Sequence, residues 1–131
     1  MKYEAWDLDY NFHREEYEDR FKQTSILGYD VEILEDKLAN IAQRKYAVCV
    51  ASATDALQFS VESLGIGKGD EVLVTDFSWI SSASCIALAG AIPVFCDIDA
   101  DTYHISLDSI KRMTSNKTRA LIYTPLFGNM S

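Results

Sequence analysis

The sequence predicts an α/β domain built on a mostly parallel sheet with flanking helices. Two observations carry that reading. Short apolar runs rich in strand formers alternate with segments whose apolar residues recur at helical spacing. Each strand run is also short and apolar, as in an α/β domain with a parallel sheet.

Taken in order, residues 1–27 form a leader in which a short amphipathic helix is expected from about His13 to Lys22, with Trp6, Tyr10 and Phe12 anchoring it on an apolar surface. From Gly28 onward, Val31, Leu34, Leu38 and Ile41 recur at three- and four-residue steps, which predicts a helix from about Asp30 to Gln43. Asp30 is its natural N-cap, and Glu32, Glu35 and Asp36 lie toward its start, where the helix dipole favours acids. Tyr46–Val50 reads as a strand. Small residues follow, and from Thr54 the spacing of Leu57, Val61 and Leu64 predicts a helix capped by Ser52 or Thr54. A strand that feeds a helix through small residues leaves free N–H groups and positive partial charge at the helix start, and such an end suits a phosphate. The plainer reading, a βα turn with an ordinary cap, fits the same residues.

The run Gly65-Ile66-Gly67-Lys68-Gly69-Asp70 invites a nucleotide-loop reading. A dinucleotide loop leaves a strand and enters a helix; this one leaves a helix and enters the strand Glu71–Thr75, so it is a helix C-cap and turn. Phe77-Ser78-Trp79 follows that strand, and a helix runs from about Ser81 to Ala89 and ends at Gly90. Ile92–Cys96 is a strand, 99–102 a turn with solvated acids, 106–113 a capped helix, Ala120–Tyr123 a strand, and the last eight residues a loop. Right-handed crossovers place the carboxyl ends of successive parallel strands on one edge. Residues 52–55, 77–79, Asp97 and 124–127 are therefore expected to face one crevice.

Composition narrows the function. With 131 residues, 48% apolar and 24% charged, the chain is one ordinary globular domain by length. A net charge of −8 argues against a nucleic-acid surface and against anionic membranes. No apolar run reaches the length of a membrane span, and the acidic, aromatic start is no signal peptide. Cys49, Cys85 and Cys96 lie in apolar segments without a CxxC spacing and read as reduced thiols of a cytoplasmic protein. His13 and His104 lack ligand-like neighbours, so no metal site is expected.

The stretches ASATDAL and LGIGKGDEVLVTDFSWISSASCIALAGAIPVFCDIDADTYHIS resemble the DegT/DnrJ/EryC1/StrS family of pyridoxal-phosphate-dependent sugar aminotransferases, from about Gly28 to the C-terminus. The resemblance implies the large domain of the fold-type I aminotransferases, with residues 28–131 as its N-terminal part. It implies that the turn Ala53-Thr54-Asp55 holds the phosphate of pyridoxal 5'-phosphate through the Thr54 hydroxyl and backbone N–H and the Asp55 N–H, with the Asp55 carboxylate turned away. Trp79 occupies the place of the family's ring-stacking aromatic. Ser81 and Ser82 are possible cofactor or substrate contacts, although serines at a helix start are usually caps. Two positions depart from the family: Ser84 stands where Asn is frequent and Pro125 where His is frequent. Members run to about three times this length, so the Schiff-base lysine and the aspartate that pairs with the pyridine nitrogen are expected beyond Ser131, and Lys68, Lys111 and Lys117 are poor substitutes. The implied activity is transfer of an amino group, from glutamate, to a nucleotide-linked keto-sugar in amino-sugar or polysaccharide biosynthesis, by a homodimer. A dehydratase variant of the same family, a non-enzymatic module binding a phosphate-bearing ligand, and a structural domain with a merely capped turn remain the alternatives.

Overall fold

The computed structural model describes residues 29–128, and the expected helix at His13–Lys22 and the aromatic anchors of the leader lie outside the described residues. The described residues fall into two units, divided between Cys49 and Val50.

In the first unit, helix α1 spans Tyr29–Ile41. Asp30 lies inside its first turn rather than capping it, where its charge complements the N-terminal dipole. The chain leaves the helix through Gln43, which takes a left-handed conformation at φ 52°. The apolar stripe that predicts this helix is largely uncovered: Val31, Leu34, Leu38 and Ile41 are all exposed, and Ala39 is buried.

The expected strand Tyr46–Val50 is not formed. The segment joins no ladder among the described residues, and Tyr46 and Val48 are 72% and 77% exposed. β-branched and aromatic residues favour a strand only where a neighbour accepts its N–H and C=O groups. Both sides of the central strand are taken by other segments.

That central strand is β1, Glu71–Thr75, in a three-stranded sheet of order β2-β1-β3, with β2 at Ile92–Cys96 and β3 at Thr118–Ile122. Both pairings are parallel. β1 runs in register from Glu71 opposite Ile92 to Thr75 opposite Cys96, and its pairing with β3 carries an irregularity between Glu71 and Val72. A central parallel strand is covered on both faces, and Val72, Leu73, Val74 and Thr75 are accordingly at most 2% exposed.

Helices α2 (Ala53–Ser63) and α3 (Ser81–Leu88) supply the core on one face, where Val61, Ile66, Val72, Val74, Cys85, Ile86 and Ala91 pack together with Leu57 at the margin. Helix α4, Leu107–Met113, is capped by Ser106, whose Oγ accepts from Ser109 N–H, and it packs on β2. Ser109 is the buried residue that ties α4 to the sheet: its hydroxyl accepts from Asp97 N–H at 2.9 Å and from an Arg112 Nη2–H at 3.3 Å. The Gly65–Asp70 run is a helix exit and turn. Gly65 and Gly69 are left-handed at φ 70° and 95°, and the Asp70 carboxylate accepts from Gly67 N–H.

Candidate functional site

The crevice at the carboxyl edge of the sheet is drawn together by side-chain hydroxyls. Ser52 caps α2: its Oγ accepts from Asp55 N–H at 3.2 Å and donates to Asp55 Oδ2 at 2.9 Å. Thr54, in the first turn, shares a 2.8 Å hydrogen bond with the hydroxyl of Ser81. Ser82, the next residue, is buried, and its Oγ lies 3.4 Å from the hydroxyl of Thr124, just past the end of β3. Three elements that follow or flank the sheet's carboxyl edge are thus joined in the order α2, α3, β3 exit.

This arrangement differs from a simple strand-to-helix turn. With no strand at Tyr46–Val50, the start of α2 is held at the edge by the packing of α2 on α3 and by the Thr54–Ser81 bond. The two serines are not caps either. Helix α3 begins at Ile80 with no side-chain cap, and Ser81 and Ser82 instead spend their hydroxyls on the two neighbouring elements. Spacing alone makes them look like caps; their partners lie 27 and 42 residues away in sequence, where no local signal reaches.

A phosphate-bearing planar cofactor can be tested against these groups. The first N–H groups of a helix have no intrahelical acceptor, so Ala53 and Thr54 offer donors in the direction the dipole favours. The Asp55 N–H, expected as a further donor, is already taken by the Ser52 hydroxyl. The Asp55 carboxylate accepts from the Ser52 hydroxyl, so it lies at the N-cap and is not turned away from the helix start. Trp79, in the loop between β1 and α3, is 76% exposed and presents its indole uncovered. The Ala53 and Thr54 donors suit an anion, and the uncovered indole of Trp79 offers a flat apolar face.

No lysine of the second unit stands at this edge among the described residues. Lys68 precedes β1 and Lys117 precedes β3, so both lie toward the amino edge, and Lys111 sits in the last turn of α4, 3.8 Å from Asp108. Among the described residues no group of three His, Cys, Asp or Glu side chains is placed to hold a metal ion, and no helix is long and apolar enough to cross a membrane.

Beside the crevice, a small hairpin spans 98–105, closed by an antiparallel bridge between Ile98 and Ile105. The Asp99 Oδ1 accepts from the N–H groups of Asp101 and Thr102 and from the Thr102 hydroxyl. The Thr102 N–H, then its hydroxyl, then the Asp101 N–H hold the Asp99 carboxyl below its ordinary value. His104 Nδ1 hydrogen-bonds the Tyr123 hydroxyl, and their rings stack. Tyr103 takes a left-handed conformation at φ 60° and packs its ring on Phe77. No local pattern in the sequence points to these aromatic pairs; 19 residues separate His104 from Tyr123.

Comparison with known proteins places these observations. A model of the DegT/DnrJ/EryC1/StrS aminotransferase family matches residues 13–131. Over 103 residues the chain is 41% identical to UDP-2-acetamido-2-deoxy-3-oxo-D-glucuronate aminotransferase of Pseudomonas aeruginosa, covering 79% of this chain and 29% of that one. Among solved structures it is similar to DesV of S. venezuelae, with a TM-score of 0.81 and 30% identity over 95% of this chain and 36% of that one. It is also similar to Spr1654 of Streptococcus pneumoniae, described as a sugar aminotransferase and solved in a PMP form. There the TM-score is 0.73 at 36% identity over 77% of this chain and 26% of that one. The same protein is solved in a PLP form. The chain thus spans less than two fifths of the length of each of these relatives.

Proposed function

The chain belongs to the DegT/DnrJ/EryC1/StrS aminotransferase family, and from that premise we propose that it is the N-terminal part of the cofactor-binding domain of a sugar aminotransferase. The observation that supports this most is the hydroxyl-linked crevice, in which the start of α2, the start of α3 and the exit of β3 meet beside an uncovered indole. The cofactor is pyridoxal 5'-phosphate, which when bound supplies the electron sink for amino transfer. Ala53 and Thr54 hold its phosphate through their backbone N–H groups, and the Thr54 hydroxyl, steered by Ser81, adds a further donor or acceptor. Trp79 provides the platform for the ring, an interaction of the order of 1 kcal/mol beyond its area burial. Ser82, with Thr124, orders the floor between them.

The amino group passes from glutamate to a nucleotide-linked keto-sugar in this reading, and the keto-sugar acceptor draws on the named activity of the Pseudomonas aeruginosa relative. The lysine that the chemistry needs is contributed from outside the described edge, so the chain alone does not transaminate. A homodimer in the cytoplasm is part of the proposal, and the exposed stripe of α1 is the kind of apolar surface that association covers.

A crystal of the chain soaked in pyridoxal 5'-phosphate tests the reading. The phosphate should lie within hydrogen-bond distance of the Ala53 and Thr54 N–H groups, with the ring against Trp79. A phosphate bound elsewhere, with α2 intact and its start empty, overturns it.

A further inference from the structure

We propose that the 98–105 hairpin is a positioning element for the aromatic platform, and that Tyr103 is the residue through which it acts. The inference rests on the reading of Trp79 given above only for its functional meaning; the mechanical claim stands on the geometry of the hairpin. Trp79 lies in the loop between β1 and α3, where its carbonyl accepts from Ser82 N–H at 3.0 Å but its side chain is left largely uncovered. Its indole is 76% exposed, Ile80 is 72% exposed, and the helix it enters has no side-chain cap. Within the loop the Ser78 hydroxyl donates to Thr75 O at 3.3 Å. Asp76 N–H, at the loop's start, donates to Cys96 O of β2 at 3.0 Å, and Phe77, two residues before Trp79, is the side chain that meets a separate element: its ring centroid lies 6.0 Å from that of Tyr103, at an interplanar angle of 35°.

The hairpin that offers Tyr103 is itself well tied. At its base Asp97 N–H donates to the buried Ser109 and Ser106 N–H donates to Asp97 O at 2.8 Å. Across its neck Asp99 N–H donates to His104 O at 2.8 Å, and Tyr103 N–H donates to Asp99 O at 2.9 Å. At its side His104 bonds and stacks on Tyr123 at the exit of β3. Tyr103 then sits at φ 60°, a conformation in which a glycine would be relaxed and a tyrosine is not. A left-handed tyrosine persists where surrounding structure over-determines it, and here the conformation aims a ring at the loop that carries the platform. The tied hairpin is the fixed body, Phe77 is the handle, and Trp79 is the group held in place.

The test uses the full chain with Trp6→Phe, which leaves Trp79 as its one tryptophan. Tyr103→Gly removes the ring while giving the backbone the residue its conformation prefers, and the relief of the left-handed backbone offsets the lost ring contact and the freer unfolded chain, so the thermal midpoint should change little. Trp79 fluorescence anisotropy should nevertheless fall, and Tyr103→Phe should restore it. Phe77→Leu removes the other ring and should lower the anisotropy in the same way. The pyridoxal 5'-phosphate Kd read from Trp79 quenching should rise about two- to tenfold in Tyr103→Gly, the worth of one aromatic pair. Unchanged anisotropy in a folded Tyr103→Gly chain, or in a folded Phe77→Leu chain, overturns the inference. If the anisotropy falls as expected but the parent chain shows no response to pyridoxal 5'-phosphate, the brace stands and the proposed cofactor site falls instead.

Discussion

Two glycines of one turn should respond oppositely to the same substitution. Gly65 ends α2 at φ 70°, and an added Cβ there would meet nothing within 4 Å. Gly67 lies outside the left-handed region, and its Cβ would make an ordinary 3.6 Å contact with Ala89 O. Alanine at either position restricts the unfolded chain by the same amount, a stabilising effect of about 0.4–1 kcal/mol. Only at Gly65 does it also force an L-residue into the left-handed well, at about 1–2 kcal/mol. The unfolded-state effect cancels in the comparison, so Gly65→Ala should be less stable than Gly67→Ala by about 1–2 kcal/mol, a five- to thirtyfold difference in the unfolding constant. Urea unfolding followed by circular dichroism measures it, with the slope unchanged between the two variants. Equal stabilities, or a larger loss at Gly67, would refute the reading of this run as a helix exit in which only particular backbone angles matter.

Thr75 is 2% exposed and its hydroxyl has no hydrogen-bond partner among the described residues; because an unsatisfied buried group costs about 1–3 kcal/mol, Thr75→Val should raise stability by about 1 kcal/mol in urea, and a loss of stability would show that the hydroxyl has a partner. Burial pushes the thiols of Cys85 and Cys96 above their ordinary value of 9.0. The folded state therefore holds these protons more tightly, so their stabilising contribution is complete below pH 9 and declines as pH rises through the folded values. Urea midpoints measured from pH 8 to 10.5 should fall, and the fall should be shallower in Cys85→Ala; an identical slope would contradict the assignment.

Most of the fold after Ser52 is written in local signals. Ser52 and Ser106 cap the helices they precede, Gly65 and Gly90 end helices in left-handed conformations, and the apolar runs at 71–75 and 92–96 become strands with the expected bounds. The family resemblance carried by ASATDAL and the residues from Leu64 to Ser106 agrees with the match over 13–131. What local signals do not encode is partnership. Tyr46–Val50 has strand composition, but composition does not specify a neighbour, and the described sheet is filled without it. The hydroxyls of Ser81 and Ser82 look like caps until their distant partners are known. Asp55 N–H looks like a ligand donor from its place in the turn, but the Ser52 oxygen that caps the helix already accepts from it.

If the start of α2 and the indole of Trp79 form one cofactor site, a single titration of the chain reveals it. In the Trp6→Phe chain, Trp79 fluorescence is followed as pyridoxal 5'-phosphate, and separately pyridoxal without its phosphate, is added. Pyridoxal 5'-phosphate should quench saturably, and Thr54→Ala should weaken the quenching modestly, since the backbone donors remain and a helix-terminus interaction is worth about 0.3–2 kcal/mol. Pyridoxal should quench only at much higher concentration. Equal quenching by the two compounds, or a Trp79 signal that ignores pyridoxal 5'-phosphate to millimolar concentration while circular dichroism shows the fold intact, would contradict a shared site.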